Sequence, residues 1–144
     1  MSELKIKFFD ELTGRELYEI VRARCAVFLL EEGIVCEDFD RVDYDALHCF
    51  LFDGEGVLAY LRAYRAGGEV KLGRVLSTTH GVGLGTRLMK ESLPKIREIF
   101  SCERIVIHSQ RGAVRFYERL GFVVSSEEFL EEGIPHIEMT LDFS

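Results

Sequence analysis

The sequence has no apolar run approaching the ~20 residues that a bilayer-crossing helix needs, so no membrane span is expected. Residues 1–6 hold neither a basic region nor a cleavage site, which makes the cytoplasm the expected location. The four cysteines, Cys25, Cys36, Cys49 and Cys102, include no CxxC pair, and the four histidines are dispersed, so no metal site is expected. Cys25, on the apolar stripe of a helix, and Cys49, inside a strand-like run, read as buried free thiols. Cys36 falls in a loop. Basic residues are outnumbered, 18 Lys and Arg against 25 Asp and Glu, for a net charge of −7. Nucleic-acid binding rests on neutralising phosphates, which this balance opposes, whereas a cationic amine would be attracted. An anionic ligand would need a local basic patch, for which His80, Arg87, Lys90, Arg111 and Arg115 are available.

Repeats, linkers and low-complexity segments are also missing. The 144 residues, 47% hydrophobic and 30% charged, read as one globular domain over 1–144. Leu4 to Phe9 alternates as a first strand. Thr13 to Glu16 fits a capping box, with Thr13 as N-cap and Glu16 three residues later. The helix that follows places Leu17, Ile20, Val21, Arg24, Cys25 and Phe28 on one face. Arg24 is the odd member, at the core edge or facing a site. Residues 31–46 hold seven carboxylates, a solvated face or a binding loop.

Leu47 to Phe52 and Val57 to Tyr64 read as strands joined by the Asp53–Gly56 turn, and a second turn leads into a strand over 69–76. Then comes the stretch Ser77 to Met89, in which Gly81, Gly83 and Gly85 stand in a GxGxG pattern. After it, Leu84, Leu88, Met89, Leu93, Ile96 and Phe100 recur at helical spacing, interrupted by Pro94, where a kink or break is expected. A strand, a glycine turn and a helix start together suggest a pyrophosphate cradle, because the first amides of a helix are unpaired and face its positive end. A P-loop is disfavoured, since Thr86-Arg87 follows Gly85 where Lys-Ser/Thr is needed. A dinucleotide fingerprint is disfavoured by the spacing and by the missing acid after the next strand. Further on, Glu103 to His108 reads as a buried strand and Gly112 to Leu120 as an amphipathic helix ended by Gly121. Phe122 to Val124 and Ile137 to Leu141 pair around a turn containing Gly133 and Pro135.

Two of these pieces carry a resemblance. Gly83 and Gly85 fit the acetyl-CoA loop Arg/Gln-x-x-Gly-x-Gly/Ala of the GCN5-related N-acetyltransferases, with His80 in the place of Arg/Gln. Gln110-x-x-Ala113-x-x-Phe116-Tyr117-x-x-x-Gly121-Phe122 resembles the second half of that site. The likeness reaches the ElaA-like branch of the family through Arg22, Cys25, Val27, Phe28 and Glu31, through Asp40, Asp43 and His48, through Gly73 to Val75, and through Glu132 to Met139.

The resemblance implies an α/β (α+β) fold with a mixed, strongly twisted central sheet flanked by helices. It implies an N-acetyltransferase that moves an acetyl group from acetyl-CoA to a primary amine, a small molecule or a peptide, by direct attack. Val75 and Ser77 would meet the pantetheine amides. His80, Gly81, Val82, Gly83, Leu84, Gly85, Thr86 and Arg87 would hold the pyrophosphate, and Gln110, Ala113 and Phe116 would complete the cofactor site. A thiolate leaves in this reaction, and the Tyr117 hydroxyl would serve as general acid. Glu31, His136 and His48 are candidate bases. Arg24, Asp40, Asp43 and His48 are expected on the acceptor side, and His108 reads as structural. A homodimer is compatible with the family. Two other classes stay open: a non-catalytic acyl-CoA-binding domain, and an interaction module using the acidic segment.

Overall fold

Strand β2 (Leu47–Phe52) carries apolar side chains at nearly every position and is buried throughout, so it must lie inside a sheet covered on both faces. Strand β1 (Glu3–Phe8) pairs with it antiparallel on one side and β3 (Val57–Ala66) on the other. The meander continues into β4 (Glu69–Ser77), and β4 has a parallel neighbour, β5 (Arg104–Gln110). Strands β6 (Val123–Val124) and β7 (Phe129–Glu131) both lie on β8 (Ile134–Asp142), which runs antiparallel to β5. The computed structural model describes residues 2–143, and its sheet runs β1-β2-β3-β4-β5-β8-β6, with β7 also on β8.

Alternation along the strands divides the core in two. Leu47, Cys49 and Leu51 face one side, with Ala59, Leu61, Val70 and Ile105, against Leu88, Met89, Leu93 and Ile96 of helix α2 (Leu84–Phe100). Phe50, Phe52 and Tyr60 face the other side, where Ile20 and Ala23 of helix α1 (Gly14–Arg24) cover them with Val27. The capping box is formed: Thr13 Oγ1 accepts from the Glu16 amide at 3.0 Å, and the Glu16 carboxylate accepts from the Thr13 amide at 2.9 Å.

Three local expectations are corrected. Cys25 is exposed, not buried. The inward face is Ile20, Ala23, Arg24 and Val27, which leaves Val21 and Cys25 outside, and from Cys25 to Glu31 the chain continues as a wider π-helix. Pro94 does not break α2, which is continuous through it. It sits on the exposed side, where water can satisfy the carbonyl that loses its partner. Pro135 lies within β8, not in the turn, which is made by Glu132 and Gly133 at φ 52 and 71. On the β5 side the ladder ends at the Gln110–His136 pair, and on the other side residue 135 lies opposite Leu130 of β7, beside the hairpin turn.

Glu16 is 3% exposed and contacts Lys5 and Lys7 at 3.0 and 2.9 Å. Burial pushes its carboxyl up, but the Thr13 amide and then the two lysines outweigh this and hold it at about 2, below the ordinary 4.5. Replacing it by Gln is expected to cost about 1–2 kcal/mol in urea denaturation at pH 7. A folded value below the unfolded one stabilises fully above about pH 4.5 and ceases to do so as pH falls through about 2. The wild-type and Glu16→Gln stability curves should therefore converge in acid.

Candidate active site

Strands β4 and β5 pair over three positions only, from Val70–Ile105 to Leu72–Ile107. Beyond them β5 stays with β8, while β4 stays with β3 and bulges. Arg62 pairs with Gly73, but Tyr60 pairs with Leu76, so β4 carries an extra residue there. Arg74 takes φ 52 at this point. Past the bulge the alternation inverts: Leu72 packs with the α2-side core and Leu76 with the α1-side core. The parting of the two strands opens a cleft of about 630 Å³, with Leu72 to Val75 on one wall and Val106 to His108 and Gln110 on the other.

The glycine stretch joins the end of β4 to α2. Gly83 is the N-cap of α2 at φ 79, and a Cβ there would meet nothing within 4 Å. Glycine thus sets the turn and leaves the approach open. No side chain caps the helix, so the amides of Leu84, Gly85 and Thr86 point outward. The Arg87 amide is spent on Gly83 O at 3.0 Å, which shortens the expected set of anion-holding amides. Its guanidinium turns to Glu91 and Ser2. Arg111 likewise pairs with Glu128, so two members of the expected basic patch are committed elsewhere. A Cβ on Gly85 would stand 3.5 Å from the Phe116 ring, which fixes how closely α2 meets helix α3 (Val114–Glu118). The residues present fit an anionic group such as a pyrophosphate.

Two carboxylates from the end of the π-helix reach across to this side. Glu31 contacts His80 Nε2 of the glycine stretch, and Glu32 accepts from Gln110 Nε2 at 3.0 Å. Glu31 stands beside the loop and not on the cleft wall.

The predicted helix over 112–120 is shorter than expected: a 3₁₀ turn at Arg111–Ala113 leads into α3. Gly121 still ends it, at φ 100. Tyr117 lines the cleft and is 8% exposed, wedged between Phe116 and Phe122. Burial raises its pKa, so the phenol keeps its proton at neutral pH. His136 also lines the cleft. Its Nδ1 lies 2.7 Å from the Ile134 carbonyl, which only accepts, so the proton sits on Nδ1 and Nε2 carries the lone pair. His108 shares that wall and pairs with Glu131 at 2.8 Å.

The acidic segment differs most from a solvated face. Arg24 is 1% exposed. Its Nε donates to Asp38 at 3.0 Å, Nη1 to Asp43 at 2.6 Å and Nη2 to the Asp38 carbonyl at 2.6 Å, with the Phe39 ring 4.2 Å away. Arg62, from the middle of β3, donates to Asp40 at 2.8 and 2.9 Å and to Asp43 at 3.1 Å. Its hydrogen bond to Asp40 is the main reason that carboxyl is held at about 2. His48 uses both ring nitrogens: Nε2–H donates to Asp43 O at 2.9 Å, and Nδ1 accepts from Tyr60 Oη at 2.6 Å. Burial lowers its pKa as well.

Asp40 lines the cleft, but Arg24, Asp43 and His48 lie behind its wall. These three therefore do not line the cleft, and both His48 ring nitrogens are engaged. Arg62, Arg74 and Asp38 were missed. The available signal was Arg62 itself, a charge inside an otherwise apolar strand, which needs a carboxylate partner.

The family model for the acetyltransferase (GNAT) domain matches residues 37–143. The chain belongs to the GNAT acetyltransferase family. A GNAT relative in sequence is UPF0039 protein C11D3.02c of Schizosaccharomyces pombe, 34% identical with 99% of each chain covered. The crystal structure of an acyl-CoA N-acyltransferase from Pseudomonas aeruginosa superposes with a TM-score of 0.91 at 31% identity, covering 98% of this chain and 99% of that one. Escherichia coli ElaA superposes at 0.90 with 28% identity, covering 97% and 99%. No helix among the described residues of this GNAT domain is long and apolar enough to cross a membrane.

If Arg24 is internal framing, Arg24→Met leaves Asp43 with Arg62 alone and Asp38 with Arg74 alone and should cost about 3 kcal/mol in urea denaturation. A side chain that merely touched the acceptor would leave stability near wild type.

Proposed function

We propose that the protein is an N-acetyltransferase that moves an acetyl group from acetyl-CoA to a primary amine, with Tyr117 as general acid. The observation that carries this is a cleft lined by the buried phenol of Tyr117 and by β4, the strand that leads on to the free amides at the start of α2. The Leu84, Gly85 and Thr86 amides supply the positive end of α2 to a pyrophosphate. The Val75 and Ser77 backbone, at the end of the strand that has left β5, offers unpaired groups to pantetheine amides. Bound acetyl-CoA would bring the acyl group as a thioester, already activated toward an amine.

Tyr117 is neutral and its hydroxyl faces a cleft, so it holds a proton ready for a departing sulfur. An amine must shed a proton before it attacks. His136, on the cleft wall, carries an Nε2 lone pair 3.7 Å from the Glu131 carboxylate and is preferred here as base over Glu31, which is engaged by His80 and does not line the cleft. The acceptor is a small amine or a peptide amine. The interaction-module reading of the acidic segment is less favoured, because Asp38, Asp40 and Asp43 are already paired with arginines.

Calorimetric titration of acetyl-CoA into wild type and a Gly83→Glu, Gly85→Glu double variant, both checked for folding, tests the cofactor site. Binding should occur in the first and be lost in the second; no binding to wild type would refute the reading. With acetyl-CoA and a panel of 1,4-diaminobutane, kanamycin and trialanine, Tyr117→Phe should lower kcat by about 100-fold and leave the acetyl-CoA Kd unchanged.

A further inference from the structure

Arg74 belongs to both walls of the cleft. Its backbone occupies the bulge where β4 parts from β5, at φ 52. Its side chain crosses to the acidic loop: Nε lies 2.7 Å from Asp38 Oδ1, and Nη2 donates to the Asp38 carbonyl at 3.1 Å and lies 3.6 Å from Asp40 Oδ2. The Nε approach is an ion pair without hydrogen-bond alignment. Asp38 and Asp40 are gripped from behind by Arg24 and Arg62. Backbone and side chain of one residue thus join the strand that would receive the acyl donor to the loop that forms the acceptor wall.

The residue type is informative. A left-handed position inside a strand favours glycine, and an arginine persists there only where its surroundings hold it. Glycine would suit the turn better but could not reach Asp38. The side chain is therefore what this position retains. The carboxylates it meets are paired on both sides, so Asp38 and Asp40 shape the wall and are not free anchors for a cationic acceptor.

We propose that Arg74 is a positioning residue that couples the donor strand to the acceptor wall. A donor lying along Gly73 to Val75 fixes the Arg74 backbone, and the guanidinium carries that restraint to residues 36–43. The inference rests on the acyl-donor reading above. Contiguous contacts of this kind transmit a restraint only if the elements move together, which is measurable.

The test is amide hydrogen exchange of the full chain with and without acetyl-CoA, in wild type, Arg74→Gly and Arg74→Lys, with melting temperatures as a folding check. Glycine accepts φ 52 without strain, so the first variant should keep the fold. In wild type, acetyl-CoA should slow exchange by about tenfold or more in both 73–77 and 36–43. In Arg74→Gly the strand should remain protected while 36–43 exchanges alike with and without acetyl-CoA. Arg74→Lys, which keeps the charge but not the fork, should fall between. Loop protection that persists in Arg74→Gly, or strand protection without loop protection in wild type, overturns the inference alone. Protection of neither segment in wild type overturns the acyl-donor reading and this inference with it.

Discussion

Strands β4 and β5 are paired for three residues and then separate, and everything at the site follows from that parting. Each strand keeps its outer neighbour, β3 on one side and β8 on the other, so the sheet does not fray. What is given up is the ladder between them. Backbone groups in an interior need partners, and a split sheet leaves some facing a cleft with none from the protein. A ligand bearing amides of its own can enter such a gap as a partial strand. The strands that border the gap lead on to the other two pieces, β4 to the start of α2 and β5 to the helix carrying Tyr117, which lines the gap.

The acceptor side is organised by charge. Burying Arg24 beside Asp43 carries a desolvation cost that pairing roughly offsets, so the network is better understood as fixing a shape than as supplying stability. A loop of this composition would repel itself if left alone. With Arg24, Arg62 and Arg74 set among Asp38, Asp40 and Asp43, these three aspartates are balanced one for one, and Glu32 and Glu37 keep the same wall acidic.

Features made by neighbours in sequence were legible in advance. The Thr13–Glu16 cap, the Asp53–Gly56 turn and the glycine stretch are local chemistry, and each formed where expected. Gln110, Ala113 and Tyr117, picked out by motif, line one cleft with Val75, whereas Ser77, Phe116 and the glycine stretch do not line it. Partners brought together over long separations were not legible. Arg24 was noticed as an oddity on its stripe, but its distance from Asp43 along the chain hid what it was for. The β4 bulge was missed for a different reason: Gly73 marked the place, but the residue that takes the left-handed conformation is its neighbour Arg74. Cys25 was misplaced because the stripe was drawn through Val21 and Cys25 instead of Ala23 and Val27, and the helix changes its winding only from Cys25 on.

That change of winding has a geometric consequence. Between Cys25 and Glu31 the backbone spans five residues per hydrogen bond, as in the Glu32 amide to Val27 carbonyl contact at 2.9 Å. A π segment amounts to one residue more than an α-helix of equal rise would hold. Removing one residue from it would restore ordinary pitch and turn everything downstream by about 100° around the axis. Glu31 and Glu32 would then swing off His80 and Gln110 while their sequence stayed the same. Their address at the mouth of the cleft is written in the pitch of the helix, not in the side chains.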